Sequence, residues 1–286
     1  MATTEQAAWI DSALAGLGRA RSGPIEVFRS EPWATVSSLL CADRGRVWFK
    51  ANEPCFAHEG VVLSLLAGAA PDSVLEPLAV EPVAGWFLTD DGGPLASEAD
   101  NLTIAETYAR IVVTSAERVD EMLALGVPDR RPELLVSVFD EACAHPEAGA
   151  AGERCAAMRD RFVRVCEVLA DDGRLALADS DVGRHHAFAG PPLRLFDWAD
   201  TVVTHPLVSL FHVERQLAPD AAEIVARAWR AETDGPLARA ASSAARLLGA
   251  DVWMRVPPEA WKRHPGGIER WVERLADALV ENLAFR

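Results

Sequence analysis

A chain of 286 residues that is 50% apolar has the material for one large core or two smaller ones, and its net charge of −15 argues against broad contact with nucleic-acid phosphates. Five cysteines, at positions 41, 55, 143, 155 and 166, are scattered with no pair at the close spacing of a zinc or redox motif. The start lacks a secretory-signal pattern and no apolar run is long enough to span a bilayer, so the chain is expected to be cytoplasmic, with reduced thiols and no membrane partner. Neither a GxxxxGK[ST] loop nor a GxGxxG after a strand occurs, which leaves the P-loop and dinucleotide-binding readings without a motif.

Residues 4–17 read as an amphipathic helix, with Ile10, Leu14 and Leu17 on one face and Thr3 with Gln6 as a capping box. From 25 to 50, three short extended runs separated by turns at 30–33 and 42–45 predict a strand meander that Lys50 closes. Residues 55–67 follow as a helix, with Val62, Leu65 and Leu66 on one side, Gly68 as a stop, and Glu59 in or near the first turn. Two more extended runs, 75–81 and 86–89, lead to the polar, glycine-rich break 90–94, the best boundary in the chain. Beyond it the pattern is helical: Thr103 and Glu106 read as a capping box before a helix that stops near Gly126, and further helices are expected at 133–144, 153–170, 220–232, 236–248 and 267–283.

The stretch 175–200 interrupts the helices. Two apolar runs, 175–178 and 193–196, with a Gly-Pro-Pro turn between them, predict a short hairpin that brings Asp181 and Asp197 to one edge. Aspartates are common in turns, so each alone says little. Together, one carboxylate free to accept a proton and one to hold a divalent ion suit phosphoryl transfer, where the protein mainly positions groups and neutralises charge. His205, just before Pro206, reads as a capping or packing residue.

These residues resemble the catalytic loop and metal element of the aminoglycoside phosphotransferase and choline kinase-like family, whose pattern is H-x-D-x-x-x-x-N and then apolar-apolar-D-W. Asp181 stands at the catalytic aspartate, His186 at the metal-binding asparagine, Phe196-Asp197-Trp198 at the metal element, and Asp179 where the family has its histidine. The other register, with Asp179 catalytic, would set Arg184 beside a metal cation that repels it. The loop 126–132 resembles the family's actinobacterial-type branch.

The resemblance implies an α+β, bilobal protein-kinase-like fold. Residues 1–92 would form a small antiparallel-sheet lobe with a helix that binds nucleotide, and 93–286 a larger, mainly helical lobe with the catalytic loop and acceptor pocket. It implies an ATP-dependent kinase moving the γ-phosphate to a hydroxyl of an aminoglycoside-like, amino-sugar or other small alcohol, with antibiotic resistance as one role open to it. Lys50 braced by Glu59 would hold phosphates, Thr35 and the loop 30–35 would cover them, and backbone groups near Phe87 and Thr89 would meet the base. Asp181 would take the hydroxyl proton, while Asp197 and His186 would bind Mg2+, or Mn2+ given the imidazole. ATP and GTP both remain open. The acidic composition favours a cationic acceptor, and Glu214, Trp229 and Glu232 are candidates for its pocket. The His186 and Asp179 substitutions leave a second class open: a pseudokinase that binds nucleotide as a regulatory module.

Overall fold

The structure, a computed structural model, describes residues 2–42 and 45–281. The centre of the predicted turn at 42–45 and the last two residues of the predicted helix 267–283 lie outside them.

The first helix, α1 (Thr4–Gly16), begins where the sequence signals it: Thr3 Oγ1 accepts the Gln6 N–H at 3.1 Å and Gln6 Oε1 accepts the Thr3 N–H at 2.9 Å. Ile10 and Leu14 are buried, while Leu17, past the helix end, is 44% exposed. The strands β1 (Glu26–Glu31), β2 (Ala34–Cys41), β3 (Gly45–Asn52), β4 (Pro77–Glu81) and β5 (Trp86–Asp90) form one antiparallel sheet in the order β1-β2-β3-β5-β4. One face packs on α1 through Leu39, Val47, Phe49 and Leu88. Between β3 and β4 runs α2 (Glu59–Ala69), which continues through Gly68 instead of stopping there. Gly60 lets it lie close to the sheet, because a Cβ there would come within 2.9 Å of Val80 Cγ1 and 3.2 Å of Phe87.

The remainder is largely helical. The chain enters α3 (Asn101–Ser115) through a single 3-10 turn whose capping box is Ser97 with Asp100; Thr103 and Glu106 fall inside the helix. The predicted long helix then breaks, and α4 (Val119–Ala124) ends before Gly126 at φ +86°, a left-handed position that suits glycine. Next come α5 (Leu135–Ala144), α6 (Gly149–Ala156) and α7 (Arg159–Asp172), the last two replacing one predicted helix. After the strands of the 175–200 stretch follow α8 (Ser209–Gln216), α9 (Pro219–Ala228), α10 (Pro236–Arg255), α11 (Pro258–Arg263) and α12 (Gly267–Glu281). The alanine-rich α10 is the axis of this bundle, with Ala240, Ala241, Ala244 and Ala245 buried and α5, α7, α8 and α12 packed around it.

The 175–200 stretch pairs differently from the expected hairpin. β6 (Ala176–Ala178) pairs with β9 (Val202–Thr204), and β7 (Ala187–Phe188) with β8 (Arg194–Leu195). The intervening loop 179–186 is long enough to carry the chain away from β6 before the tight turn. The β7–β8 hairpin docks on the connections to the sheet: Leu75 N–H donates to Leu195 O at 3.0 Å and Ala96 N–H to Ala187 O at 2.8 Å.

Candidate active site

In β3, Val47, Phe49 and Ala51 face the α1 core, so alternation turns Lys50 the other way, toward α2 and the catalytic stretch. Its Nζ lies 2.7 Å from Glu59 Oε2 and 2.6 Å from Asp197 Oδ1. Glu59, the first residue of α2 and 1% exposed, also accepts from Asn52 Nδ2 at 2.9 Å. Burial works against the Lys50 charge, but Asp197 and then Glu59 outweigh it and hold the ammonium firmly protonated. Burial likewise opposes the Asp197 carboxylate, and Lys50 followed by His186 overcomes this, keeping it well below the usual range. Glu59 is the group on which burial prevails, and its carboxyl sits above its ordinary value.

Asp197 adopts φ +63°, a left-handed conformation uncommon for residues other than glycine, though aspartate and asparagine take it more readily than most. Such strain persists where the surroundings over-determine it, and here the ion pair and the β8 strand fix both sides.

Asp181 stands on the loop after β6. Its Oδ1 accepts from Gln216 Nε2 of α8 at 2.9 Å and lies 3.4 Å from His185 Nε2, while the side chain keeps 39% of its surface exposed. Burial raises its pKa, and the His185 hydrogen bond with the charge of His186 brings it below the ordinary value. Asp179 lies beneath, 4% exposed, with Oδ1 accepting the Asp181 N–H at 2.7 Å and its own N–H donating to Tyr108 Oη at 3.0 Å. Burial, then the neighbouring Asp200, pushes its carboxyl well above the usual range. Asp179 thus shapes the loop that presents Asp181. Burial, opposed by Arg255 and reinforced by Asp181 and Asp197, also pushes Asp200 up to about 6.

Two cavities of about 510 Å³ each meet at this cluster, and both are lined by Arg29, Val36, Lys50, His186 and Asp197. One is apolar, running between the sheet and the β7–β8 hairpin, with Leu63, Leu75, Phe87, Thr89 and the stacked pair Phe188 and Phe196, whose ring centroids are 4.3 Å apart. Gly92 is required at its edge, since a Cβ there would come within 2.2 Å of the Phe188 ring. The other is polar and holds Asp181, Asp200 and Gln216 against a wall from α8, α10 and α12.

No protein-family model matches the chain, and no curated protein does. Solved structures do. Choline kinase LicA from Streptococcus pneumoniae superposes with a TM-score of 0.68 at 11% identity, covering 97% of this chain and 100% of that one. The GDP and kanamycin complex of APH(2")-IIia gives 0.61 at 13%, covering 96% and 99%. The macrolide 2'-phosphotransferase MphH from Brachybacterium faecium gives 0.58 at 18%, covering 96% and 98%. The fold is that of the small-molecule phosphotransferases. This is the bilobal α+β architecture that the sequence resemblance implies.

Within this fold the structure brings Lys50, Glu59, Asp181, His186 and Asp197 together. Phe87 and Thr89 line the apolar cavity with their side chains, but β5 is paired on both sides, with β3 and β4, so its backbone groups are already engaged. Just beyond the strand, the Gly93 N–H donates to Asp91 Oδ1 at 3.0 Å and Gly92 O accepts from Arg194 Nη2 at 3.1 Å. Thr35 lines neither cavity: strand alternation puts Ala34 and Val36 on the cavity face and turns Thr35 toward Ser30, with the hydroxyl oxygens 3.4 Å apart. Glu214, Trp229 and Glu232 are also absent from the polar cavity's lining. His205 is buried, its Nε2 3.0 Å from Asp172 Oδ1 and its Nδ1 accepting the Leu207 N–H, so it packs and caps. Sequence reasoning missed Arg29, Asp200 and Gln216, and the polar wall. Their only signal is the helical spacing of Arg270, Trp271 and Arg274.

The donor set suits a divalent cation. His186 Nδ1 lies 2.9 Å from the Asp181 carbonyl oxygen, to which it donates, and Nε2 faces Asp197 Oδ2 3.1 Å away. Two acceptors at that distance repel unless a proton or a cation lies between them. His186, His185 and Asp181 also offer donor atoms within 4.8 Å of one another. An imidazole in the set favours Mn2+ more than an amide oxygen would.

Proposed function

We propose that the protein is an ATP-dependent phosphotransferase acting on a hydroxyl of a small molecule, with residues 1–92 holding the nucleotide and 93–286 the acceptor. The observation that carries this is the meeting of the two cavities at Lys50 and Asp197, with Asp181 on the polar side alone. A purine fits the apolar cavity between Phe87 and Phe188, and the triphosphate then runs past Lys50. Lys50, braced by Glu59, neutralises phosphate oxygens, and Arg29 lies where it can do the same. A divalent ion on Asp197 and His186 would neutralise charge developing on the transferring phosphoryl group. Asp181, kept ionised and oriented by Gln216, aligns the acceptor hydroxyl and receives its proton.

An exposed, oriented Asp181 beside a complete lysine cluster favours a working enzyme over a binding module. The test is the melting temperature with ATP or GTP, with and without Mg2+ or Mn2+. At a hundredfold excess over Kd, nucleotide adds about 2.7 kcal/mol of stability. Asp181→Asn should keep that shift and lose about 10²- to 10⁴-fold in phosphate transfer. Absence of any nucleotide shift in the wild type would sink the reading, and full transfer by Asp181→Asn would remove Asp181 from its role.

A further inference from the structure

The polar cavity is lined by Arg215 of α8 and by Arg270, Trp271 and Arg274 of α12. Arg274 Cζ lies 4.9 Å and Arg215 Cζ 5.6 Å from the Trp271 ring centroid. The indole is seated on α10 at Gly249, where a Cβ would come within 2.4 Å of it. The guanidinium groups of Arg215 and Arg274 are therefore held by a fixed ring, with Arg270 beside them on the cavity lining.

The charges of this cavity are balanced unevenly. Asp197 is taken up by Lys50 and His186, Asp181 by Gln216 and His185, and Glu31 by Arg29 at 3.2 Å and Arg263 at 3.7 Å; Asp200, near Ser180 Oγ at 3.4 Å, has no cation within 4.0 Å among the described residues. Arg215, Arg270 and Arg274 pair with no carboxylate within 4.0 Å among the described residues. In a chain with 43 acidic residues and 28 basic ones, three neighbouring cations without a carboxylate partner run against composition. The wall also adjoins the chemistry, since Gln216, which holds Asp181, directly follows Arg215.

Resting on the phosphotransferase reading, we propose that the acceptor is an anionic alcohol, a hydroxyl compound bearing a carboxylate or a phosphate. Its anion sits in the forks of Arg270, Arg274 and Arg215, its carbon face lies on Trp271, and its hydroxyl reaches Asp181. The acceptor oxygen attacks the γ-phosphorus of ATP, a new P–O bond forms as the bond to the β-phosphate oxygen breaks, that electron pair leaves with ADP, and the hydroxyl proton passes to Asp181. This reverses the sign of acceptor that the overall acidity of the chain suggests, because net charge averages over a surface the acceptor does not touch.

The experiment compares D-glycerate, D-gluconate and D-glucose 6-phosphate with neutral D-glucose and cationic choline and kanamycin, reading ADP release and the acceptor-induced shift in melting temperature. It uses wild type and the double variant Arg270→Ala/Arg274→Ala. The expected result is turnover and a thermal shift with at least one anionic probe, with KM raised about tenfold in the double variant and kcat changed far less; glycerate and gluconate against the sugar phosphate separate carboxylate from phosphate recognition. Turnover confined to neutral or cationic probes overturns the proposal, as does an anionic substrate whose KM ignores both substitutions. So does the absence of any anion-induced shift or turnover. The nucleotide-induced shift, measured without acceptor, reads the phosphotransferase site separately. If it is missing while an anion-induced shift persists and is lost in the double variant, the arginine wall stands and the kinase reading falls.

Discussion

The lysine cluster and the arginine wall handle positive charge in opposite ways. Lys50 is enclosed and held by two carboxylates, one from the next helix and one from the far side of the site. Arg215, Arg270 and Arg274 are exposed, and Arg215 and Arg274 lean on a tryptophan. On the proposed reading, a charge that must stand ready for a phosphate chain is fixed in advance by its own protein, at a desolvation cost that only paired geometry offsets. On the same reading, charges that discriminate among small acceptors are left for the ligand to neutralise.

The largest test of that contrast is Lys50→Met. It leaves Glu59 buried without its cation and should lower the unfolding free energy by about 3–5 kcal/mol in urea titrations, with Glu59→Gln in the same chain recovering part of the loss. A loss under about 1 kcal/mol would show the cluster to be looser than its distances imply. Gly249→Ala sharpens the other side. Its methyl must displace Trp271, which should cost about 1–3 kcal/mol and weaken acceptor binding while the nucleotide shift survives. An unchanged acceptor KM would mean that the ring does not seat the wall.

A pH-dependent effect comes from His212, buried behind that wall with Nε2 3.3 Å from Ala245 O, where burial lowers its pKa from 6.5 to about 4. Between those values the unfolded chain holds a proton that the folded one does not. Stability relative to His212→Gln should therefore fall as pH drops from about 6.5 to about 4, by on the order of 1.4 kcal/mol per pH unit. A flat difference across that window would show that the folded histidine takes up its proton. Smallest is Thr3→Ala, which removes the α1 cap and should cost about 1 kcal/mol with neither cavity's ligand binding affected; a loss of nucleotide binding would couple α1 to the site.

What could be read from the sequence follows the same divide. Lys50 at a strand end, Glu59 at the next helix start, Asp181 and Asp197 around a short loop are local patterns in a fixed order, and that order is what carries the family resemblance. Strand partners across the catalytic stretch were not local, and the expected hairpin of 175–178 with 193–196 gave way to β6 with β9. Thr35 failed because a shift of one position in a strand reverses the face. The wall was illegible because Arg215, Gly249 and Trp271 come from three helices whose contacts depend on how the bundle closes. Gly249 in particular reads as a weak point in a helix until the indole lying on it is seen.

The left-handed bend at Asp197 bears on how that residue can be interrogated. Alanine there would erase the carboxylate and also sit badly in a backbone conformation that disfavours it, so lost turnover would merge chemistry with a distorted chain. Asparagine tolerates the same conformation and nearly the same shape. Asp197→Asn strips away the charge alone, leaving Lys50 to report, through its hold on Glu59, whether the bend belongs to the backbone or to the ion pair.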